Sequence, residues 1–309
     1  MDFLTSKKQY FNPWTNVYGL ARSIIATSTF LTLLLNKIDI LFYSASAYNA
    51  RNTDVTFLFN LNFFNLFHGY HELSKIVALL LLFLVIIGWR PMIMGVFHTW
   101  LTLSFMQSCP FIDGGDQICQ ILSILILPIC LLDTRKWHWN AAESNVISNN
   151  IYVRIFFNYY IFIIRLQVAL VYLNSATAKF GVNEWVDGSA VWYWFKEPTV
   201  GYNRYFGYLL DPILDVPLFI ALISWGAIIF ELLLAAALFM ERKYWKYFLV
   251  SGIFFHFLIL FIFGLGSFST AMFGALVLYL RPFNQTFNFS KIINLFKSWR
   301  FKSTTGHTI

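Results

Sequence analysis

The chain has 309 residues, of which 20% are aromatic and only 12% are charged. Soluble domains carry roughly twice that share of charged residues, and so few charges cannot cover the surface of a soluble protein of this length. The mean hydropathy of +0.62 agrees. The composition therefore excludes soluble, disordered, collagen-like and disulfide-scaffold proteins. It predicts an all-α, polytopic transmembrane helix bundle in contact with membrane lipid.

The formal net charge is +7. The chain has no block of clustered Lys and Arg with interleaved polar residues, so nucleic acid is not an expected partner. An excess of Lys and Arg is instead typical of the cytoplasmic side of membrane proteins.

Eight apolar runs predict about eight spans in one transmembrane domain, residues 1–282, followed by a basic cytoplasmic tail, residues 283–309. Several runs are shorter than the roughly 20 residues that cross a bilayer untilted, so a tilted or re-entrant course stays open for two of them. The first run is interpreted as a retained span, because it exceeds the apolar length of about 7–15 residues that is usual for a signal peptide. The predicted spans are 17–36, 76–89, 91–107, 117–132, 152–176, 216–240, 247–264 and 267–281.

The distribution of basic residues predicts the orientation. With the N-terminus in the cytoplasm and eight spans, fourteen basic residues lie inside and six outside. This is the asymmetry that the positive-inside rule describes, and an odd number of spans would place the basic tail outside. Both termini are therefore predicted to be cytoplasmic.

Two of the predicted outer loops are long, at residues 37–75 and 177–215. The first is rich in Phe at positions 57–59 and 63–64, a pattern that predicts an interfacial amphipathic segment. The second holds three Trp residues among five acidic and three basic residues. No loop is long enough for a separate soluble domain, so any chemistry is expected in the bundle and in an outer vestibule.

Ionisable residues inside predicted spans are costly in lipid and are therefore functional candidates. Each of them has two open interpretations. In the first interpretation, the residues together line a polar cavity in the outer half of the bundle. In the second, each has a structural role, for example in an Arg165–Glu231 ion pair or an interhelical His hydrogen bond. The candidates are Arg22, His98, Arg165, Glu231 and His256.

The loop before the fourth predicted span is the densest polar signal outside the helices. Its Asp113-Gly-Gly-Asp116 sequence fits either a ligand site or a helix cap that meets the positive end of the helix dipole. Cys109 and Cys119 flank this loop, and either a disulfide outside the cell or two buried thiols fits their spacing. No metal site is predicted, because His68 and its neighbour His71 have no second ligand cluster.

Residues 165–193 read RLQVALVYLNSATAKFGVNEWVDGSAVWY, so that a predicted span ends in Lys179 and a Trp, an acidic residue and a glycine follow. This resembles the signature of the HTTM family, relatives of the vitamin K-dependent γ-glutamyl carboxylase. The helix with His256 and the following GLGSFS turn, residues 264–269, are similar to that family's His-containing helix and Gly–Phe turn. The stretches NPWTNVYGLAR, residues 12–22, and DGGDQI, residues 113–118, resemble one branch, the sporulation-delaying protein B family of bacterial membrane proteins.

The carboxylase resemblance implies a quinone-linked enzyme. Lys179 would be the base that deprotonates a reduced quinone of the menaquinone or vitamin K type, with His256 and Asp116 around its headgroup. A lysine can act as a base only where burial favours its neutral form.

The sporulation-delaying branch implies a different role, the maturation of a secreted peptide toxin from its precursor at the outer face, together with a small partner protein of the sporulation-delaying A type. An outer vestibule would hold the apolar peptide, although its aromatic residues also fit an interfacial belt. The predicted vestibule residues are Asp113, Trp185, Asp187, Trp192 and Tyr193.

Three functions are therefore expected in this order: a toxin-maturation factor in the bacterial cell membrane, a quinone-dependent carboxylase or oxidoreductase, and a non-catalytic toxin-binding or immunity protein. A protease is not expected, because the chain has no HExxH or GxSxG motif.

Overall fold

The computed structural model describes residues 12–42, 61–67, 70–198, 201–202 and 204–287. Within these ranges the regular structure is helical, and the β-contact that occurs is an isolated antiparallel bridge between Trp89 and Trp137. The all-α class predicted from the composition is confirmed.

Eight long helices form the described bundle, and four shorter helices connect them. Single 3-10 turns occur at Phe63–Asn65, Ala142–Ser144, Val146–Asn149 and Ala237–Phe239. The α-helices are α1 Asn16–Leu35, α2 Ile38–Leu41, α3 His71–Ile86, α4 Pro91–Ser108, α5 Gly114–Leu131, α6 Ile151–Lys179, α7 Asn183–Val186, α8 Ala190–Lys196, α9 Arg204–Leu214, α10 Pro217–Ala236, α11 Arg242–Phe263 and α12 Gly266–Leu280.

Each predicted span coincides with one long helix. Five helices in the described ranges are long and apolar enough to cross a membrane, namely α1, α5, α6, α11 and α10 with its extension to Phe239, and α12 is a shorter apolar helix. The chain is therefore a membrane protein with several apolar helices of spanning length. The boundaries differ most at α3 and α11, which begin five residues earlier than predicted, at His71 and Arg242; α6 continues three residues further than predicted, to Lys179.

Local sequence explains where the long helices begin. Asp113 and Asp116 form a reciprocal capping box at the start of α5, with Asp116 N donating to Asp113 Oδ1 at 2.8 Å and Asp113 N donating to Asp116 Oδ2 at 3.2 Å. Asn150 caps α6 through its side-chain oxygen. Pro91 and Pro217 occupy the first positions of α4 and α10, where the missing N–H has no helical partner to lose.

Consecutive long helices run in opposite directions. Ser23 Oγ on α1 donates to Ile86 O, the last residue of α3, at 2.6 Å. Ser28 Oγ, further along α1, donates to the carbonyl of Ser267 at the start of α12 at 2.8 Å. Arg90 N, at the start of α4, donates to Lys136 O after α5, and Tyr279 Oη, near the end of α12, donates to Leu234 O near the end of α10. The starts of α1, α4, α6 and α11 therefore lie toward one end of the bundle, and the starts of α3, α5, α10 and α12 lie toward the other.

The two ends of the bundle carry opposite net charge. The end where α1 begins, here called the basic end, has eight basic and three acidic residues in the described ranges: Arg90, Arg135, Lys136, Arg154, Arg242, Lys243, Lys246, Arg281, Asp133, Glu143 and Glu241. The opposite end, here called the acidic end, has five basic and nine acidic residues: Lys37, Lys75, Lys179, Lys196, Arg204, Asp39, Glu72, Asp113, Asp116, Glu184, Asp187, Glu197, Asp211 and Asp215.

The Phe63–Phe64 pair, predicted to belong to an interfacial segment, packs into the protein core beside α4. Both side chains are buried, and Phe63 meets Trp100 edge-on with ring centroids 5.2 Å apart. Asn62 holds this turn by donating to Ser104 O at 3.0 Å, which draws the two rings inward. The predicted interfacial residues 57–59 and the tail after residue 287 lie outside the described residues.

Helix α1 packs closely on α12 because small residues face each other there. A Cβ on Gly274 would lie 2.6 Å from Ile25 Cγ1 and 3.2 Å from the carbonyl oxygen of Ala21. Small residues at such positions let helix backbones approach, which gains dispersion contacts where no hydrophobic effect drives association. Gly274 is therefore a packing residue of the central helix pair.

We expect Gly274→Ala to destabilise the bundle by about 1–3 kcal/mol, because the added methyl overpacks the α1–α12 contact. The matched control is Gly226→Ala in α10, where an added Cβ meets nothing within 4 Å. The control should be neutral or slightly stabilising, since Ala favours helix over Gly. Thermal unfolding of both purified variants measures the difference, and equal melting temperatures would contradict this account of the α1–α12 contact.

Candidate functional site

Lys179 at the end of α6 forms a buried ion pair with Glu231 on α10. Its Nζ lies 2.7 Å from Glu231 Oε2 and also donates to the carbonyl and hydroxyl oxygens of Ser175, at 3.2 Å and 3.0 Å. Ser175 Oγ in turn donates to Glu231 Oε1 at 3.1 Å. The ion-paired side chains are 16% and 10% exposed, so all three ammonium donors are used in a setting that admits little water.

An aromatic ring covers the amine. Trp185 on α7 lies with its ring centroid 5.1 Å from Lys179 Nζ, within the range of a cation–π contact. Of the predicted vestibule residues, Trp185 is therefore the one that contacts Lys179, the predicted base.

The predicted alternative of an Arg165–Glu231 ion pair is wrong. The Arg165 guanidinium, at the middle of α6, lies 4.7 Å from the ring centroid of Trp245 and donates to Arg281 O at 3.5 Å. Glu231 sits next to the opposite end of the same helix. Sequence could not separate the two pairings, because depth along a tilted 29-residue helix is not readable from the chain alone.

The ion pair lies deep along an apolar helix. Glu231 is fourteen residues after Pro217, the first residue of α10, a distance of about 21 Å at 1.5 Å per residue. The half of α10 that extends beyond the pair is covered by α7 and α8: Trp225 Nε1 donates to Val186 O at 3.2 Å, and Val191 N donates to Ser224 Oγ at 3.2 Å.

The predicted outer loop 177–215 contains three helices, of which α7 and α8 lie against α10. Trp192 and Tyr193 on α8 are 40% and 55% exposed, and neither is the aromatic ring that contacts Lys179. Asp187 also stays away from the amine, since its carboxylate accepts from Ser189 N and Oγ, at 2.8 Å and 2.6 Å.

His256 forms a second polar contact on the same face of α6. Its Nε2 lies 3.0 Å from the hydroxyl of Tyr172, and its Nδ1 is buried without a partner. Tyr172, Ser175 and Lys179 follow one another at three- and four-residue spacing, so they share a helix face. The Lys179 and His256 contacts are therefore neighbours, with the α6 residues that make them about 10 Å apart along the helix.

Asp116 does not reach this face directly. Its two carboxylate oxygens accept from Asp113 N at 3.2 Å and from Thr32 Oγ1 at 3.4 Å, which serves the cap of α5 and ties it to α1. Phe268 lies between the two groups: its ring is 5.6 Å from the His256 ring, and its Cα would be 2.6 Å from a Cβ on Gly115. The sequence left a ligand site and a helix cap open for this loop, and the observed hydrogen bonds correspond to the helix cap.

A separate polar cluster lies at the basic end, around Arg22 of α1. The guanidinium is fully buried and its Nη1 lies 3.3 Å from Nδ1 of His138, which follows α5. Tyr18, one turn before Arg22, places its hydroxyl 2.9 Å from Cys130 Sγ. His98 on α4 is buried and within reach of the Arg22 charge.

Sequence reasoning found Arg22 and His98 but missed Tyr18, His138 and the Asp133–Arg135 ion pair. The sequence feature that could have revealed His138 and the Asp133–Arg135 pair is the short polar stretch DTRKWHWN, residues 133–140, after the fourth span. It has the composition of a solvated loop, yet Asp133 and His138 are fully buried. Gly88 at φ +86° makes room for the imidazole, since a Cβ there would lie 2.3 Å from the ring.

The predicted disulfide between Cys109 and Cys119 is not present; the other reading, two buried thiols, is the one the structure has. Cys109 Sγ donates to the carbonyl of Phe111 at 3.1 Å, and Cys119 Sγ points to Ile25 O at 3.5 Å. The two sulfurs thus face different elements.

Two relatives match nearly the whole chain. One is a Bacillus subtilis (strain 168) protein called uncharacterized protein YitO, 40% identical over 300 residues, with 96% of this chain and 94% of that protein covered. The other is sporulation-delaying protein SdpB of the same strain, 39% identical over 307 residues, with 96% of this chain and 92% of that protein covered. The chain belongs to the sporulation-delaying protein B family. No family model matches it, so the wider HTTM resemblance stays a prediction. No solved structure matches it either.

For this member of the family, we expect single substitutions of the ion pair to destabilise and a double substitution to recover stability. Lys179→Met leaves a buried carboxylate without its cation, and Glu231→Leu leaves a buried ammonium, each at a cost of roughly 3 kcal/mol. The double variant Lys179→Met/Glu231→Leu removes both charges and should melt close to wild type. Thermal unfolding in detergent measures the cycle.

The control for this cycle is the exposed Lys243–Glu241 pair, whose side chains are 60% and 70% exposed. Lys243→Met should change stability by less than about 0.5 kcal/mol, because exposed pairs contribute little. A double variant at Lys179 and Glu231 that is as unstable as the two singles combined would contradict a closed ion pair.

Proposed function

We propose that the chain is an integral membrane factor for the production of an exported peptide toxin of the sporulation-delaying type, working with a small partner protein at the extracytoplasmic face. The observation that carries the proposal is the 39% identity to sporulation-delaying protein SdpB over 96% of the chain. Near full-length coverage means that the whole helix bundle, and not one module, is shared.

The Lys179–Glu231 pair is the proposed working group of this site. A carboxylate 2.7 Å from an ammonium can take its proton, leaving a neutral amine beside a neutral acid. The amine then accepts a proton from a substrate, and Glu231 holds the proton that the amine gave up.

The surroundings suit a peptide substrate. Trp185 closes one side of the amine, and Trp192, Tyr193 and Trp194 on α8 offer exposed aromatic surface on the same segment. Aromatic side chains present large apolar area and a polar edge, which fits an apolar peptide leaving the membrane. The proposed vestibule therefore runs along α7 and α8, with the ion pair at its base.

Deletion of the gene in its own host and re-expression of variants tests the proposal. We expect Lys179→Ala to lower secreted toxin activity by about 100-fold or more, the usual range for loss of a general base. Lys179→Arg should not rescue it, because a guanidinium cannot give up its proton. Growth-inhibition zones and mass spectrometry of the secreted peptide are the measurements.

The matched control is Lys196→Ala, which removes another ion-paired lysine of the acidic end, the partner of Asp211. It should leave toxin production within about twofold, since exposed pairs contribute little. If Lys179→Ala, present at the wild-type protein level, secretes as much toxin as wild type, the proposed role of the amine is contradicted. The stable double variant at Lys179 and Glu231 separates folding from function, because it should be folded and inactive.

The acidic end is proposed to face the outside of the cell, with both termini in the cytoplasm. The charge division between the two ends supports this orientation, because basic residues concentrate on the cytoplasmic side of membrane proteins. Cysteines at Glu184 and Lys243, both exposed, provide a matched pair on the acidic and basic ends. In intact cells a membrane-impermeant thiol reagent should label Glu184→Cys and not Lys243→Cys; the reverse pattern would overturn the orientation.

A quinone-dependent enzyme of carboxylase or oxidoreductase type is the second candidate. The observation that favours it is the adjacency of two proton-carrying contacts on α6, Lys179 with Glu231 and Tyr172 with His256. A host unable to make quinones distinguishes the two candidates. If toxin production continues in that host, the quinone-dependent enzyme is excluded and the maturation factor is supported.

A further inference from the structure

Arg22 is a fully buried cation with unused hydrogen-bond donors. The side chain lies six residues inside α1 with no exposed surface, and its Nε and Nη2 have no partner. A guanidinium has five N–H donors and cannot be deprotonated in a protein, so it cannot escape the burial by becoming neutral.

Neutral groups surround this cation. Burial, with the charges of Arg22 and Arg135, lowers the pKa of His138 to about 2, so the imidazole is uncharged. Its Nδ1 accepts from Arg22 Nη1 at 3.3 Å, which leaves the Nε2 hydrogen for Ser23 Oγ at 3.4 Å.

The nearby carboxylate is already neutralised. Asp133 Oδ2 lies 2.7 Å from Arg135 Nη2 and Oδ1 lies 2.8 Å from Arg135 Nε, a two-pronged pair with both side chains fully buried. Within the described part of the chain, the cluster therefore carries one net positive charge, that of Arg22. An uncompensated charge in a membrane interior costs several kcal/mol, so a counter-charge is expected.

A second unused group is present at the same place. His98 is 1% exposed, its Nε2 has no partner, and the Arg22 charge acts on its ring. His98 and Gly95 lie one turn apart on α4, and Gly95 packs against Cys130 so closely that a Cβ there would be 2.4 Å from Cys130 Cβ. Cys130 also meets Tyr18 of α1, one turn before Arg22, so Arg22 and His98 each lie one helical turn from a residue that contacts Cys130.

We propose that Arg22 and His98 bind a small monovalent anion of chloride size between α1, α4 and α5. The free guanidinium N–H groups and the imidazole Nε2 are its donors, and its charge neutralises Arg22. A small anion fits better than an organic carboxylate, because Arg22 has no exposed surface through which a larger ligand would reach it. This site is at the basic end and is independent of the proposed function at Lys179.

Chloride dependence of stability tests the proposal on the purified full chain. At constant ionic strength, replacing gluconate by chloride should raise the melting temperature saturably by about 5 °C, because an ion that binds only the folded state stabilises it. Constant ionic strength removes the general screening effect of salt. Arg22→Gln should abolish the chloride dependence.

Arg165→Gln is the matched control, since it removes another largely buried arginine that lies against Trp245. It should keep the chloride dependence of wild type. Loss of the dependence in Arg165→Gln but not in Arg22→Gln would overturn the assignment. A wild-type melting temperature that does not change with chloride would also overturn the proposal. If a chloride dependence then appeared only in Cys130→Ala, the counter-charge of Arg22 in the wild type would be the Cys130 thiolate.

Anomalous diffraction from bromide-soaked wild-type crystals gives a readout that does not rely on a variant folding. A bromide peak beside the Arg22 guanidinium supports the proposal. Bromide peaks only elsewhere on the molecule, or none at all, would overturn it.

Discussion

The scarcity of water inside an apolar bundle is the constraint on which the arrangement of this protein depends, and the Lys179–Glu231 pair shows how. A charged side chain at that depth needs a partner in the protein, and Glu231 provides it at 2.7 Å. The pair joins the end of α6 to Glu231, fourteen residues from the start of α10. Because α7 and α8 follow Lys179 directly, the same contact determines that they lie along α10, where Trp225 and Ser224 hold them. One ion pair thereby places the aromatic segment of the acidic end beside a membrane helix.

Helix α1 has the same role for the rest of the bundle, through small and hydroxyl side chains. Ser23, Ser28 and Thr32 direct their hydroxyls to α3, α12 and α5 in turn, so one helix satisfies polar groups on three neighbours. Short side chains also keep the backbones close, as the contact of Gly274 with Ile25 requires. The stretch from Asn12 to Arg22, which gave one of the family resemblances, packs through other residues: Trp14 Nε1 donates to Ile129 O at 3.0 Å, and Gly19 lies against His138.

The sequence predicted the helix class, the eight helix positions and the division of charge between the ends, because apolar length and basic residues are local signals. It did not predict which buried charges meet. Arg165 and Lys179 are both cations of α6, and only the tilt and rotation of a long helix decide that Glu231 meets the second. The burial of His138 also escaped prediction, since a polar stretch between spans has the composition of a solvent-exposed loop. His138 is buried because Gly19 and Gly88, which have no side chains, leave space for its ring. No pattern in the sequence predicts this fit.

Three cations inside the described spans differ in their chemistry: Arg22 is fully buried, whereas Arg165 and Lys179 are partly exposed. Arg165 lies against the rings of Trp245 and Phe283, and Arg22 lies among neutral groups; neither can release a proton. Lys179 can, and it alone of the three has a carboxylate as its partner. Of these three cations, Lys179 is therefore the one that the proposed base chemistry can use, whereas Arg22 and Arg165 keep their charge.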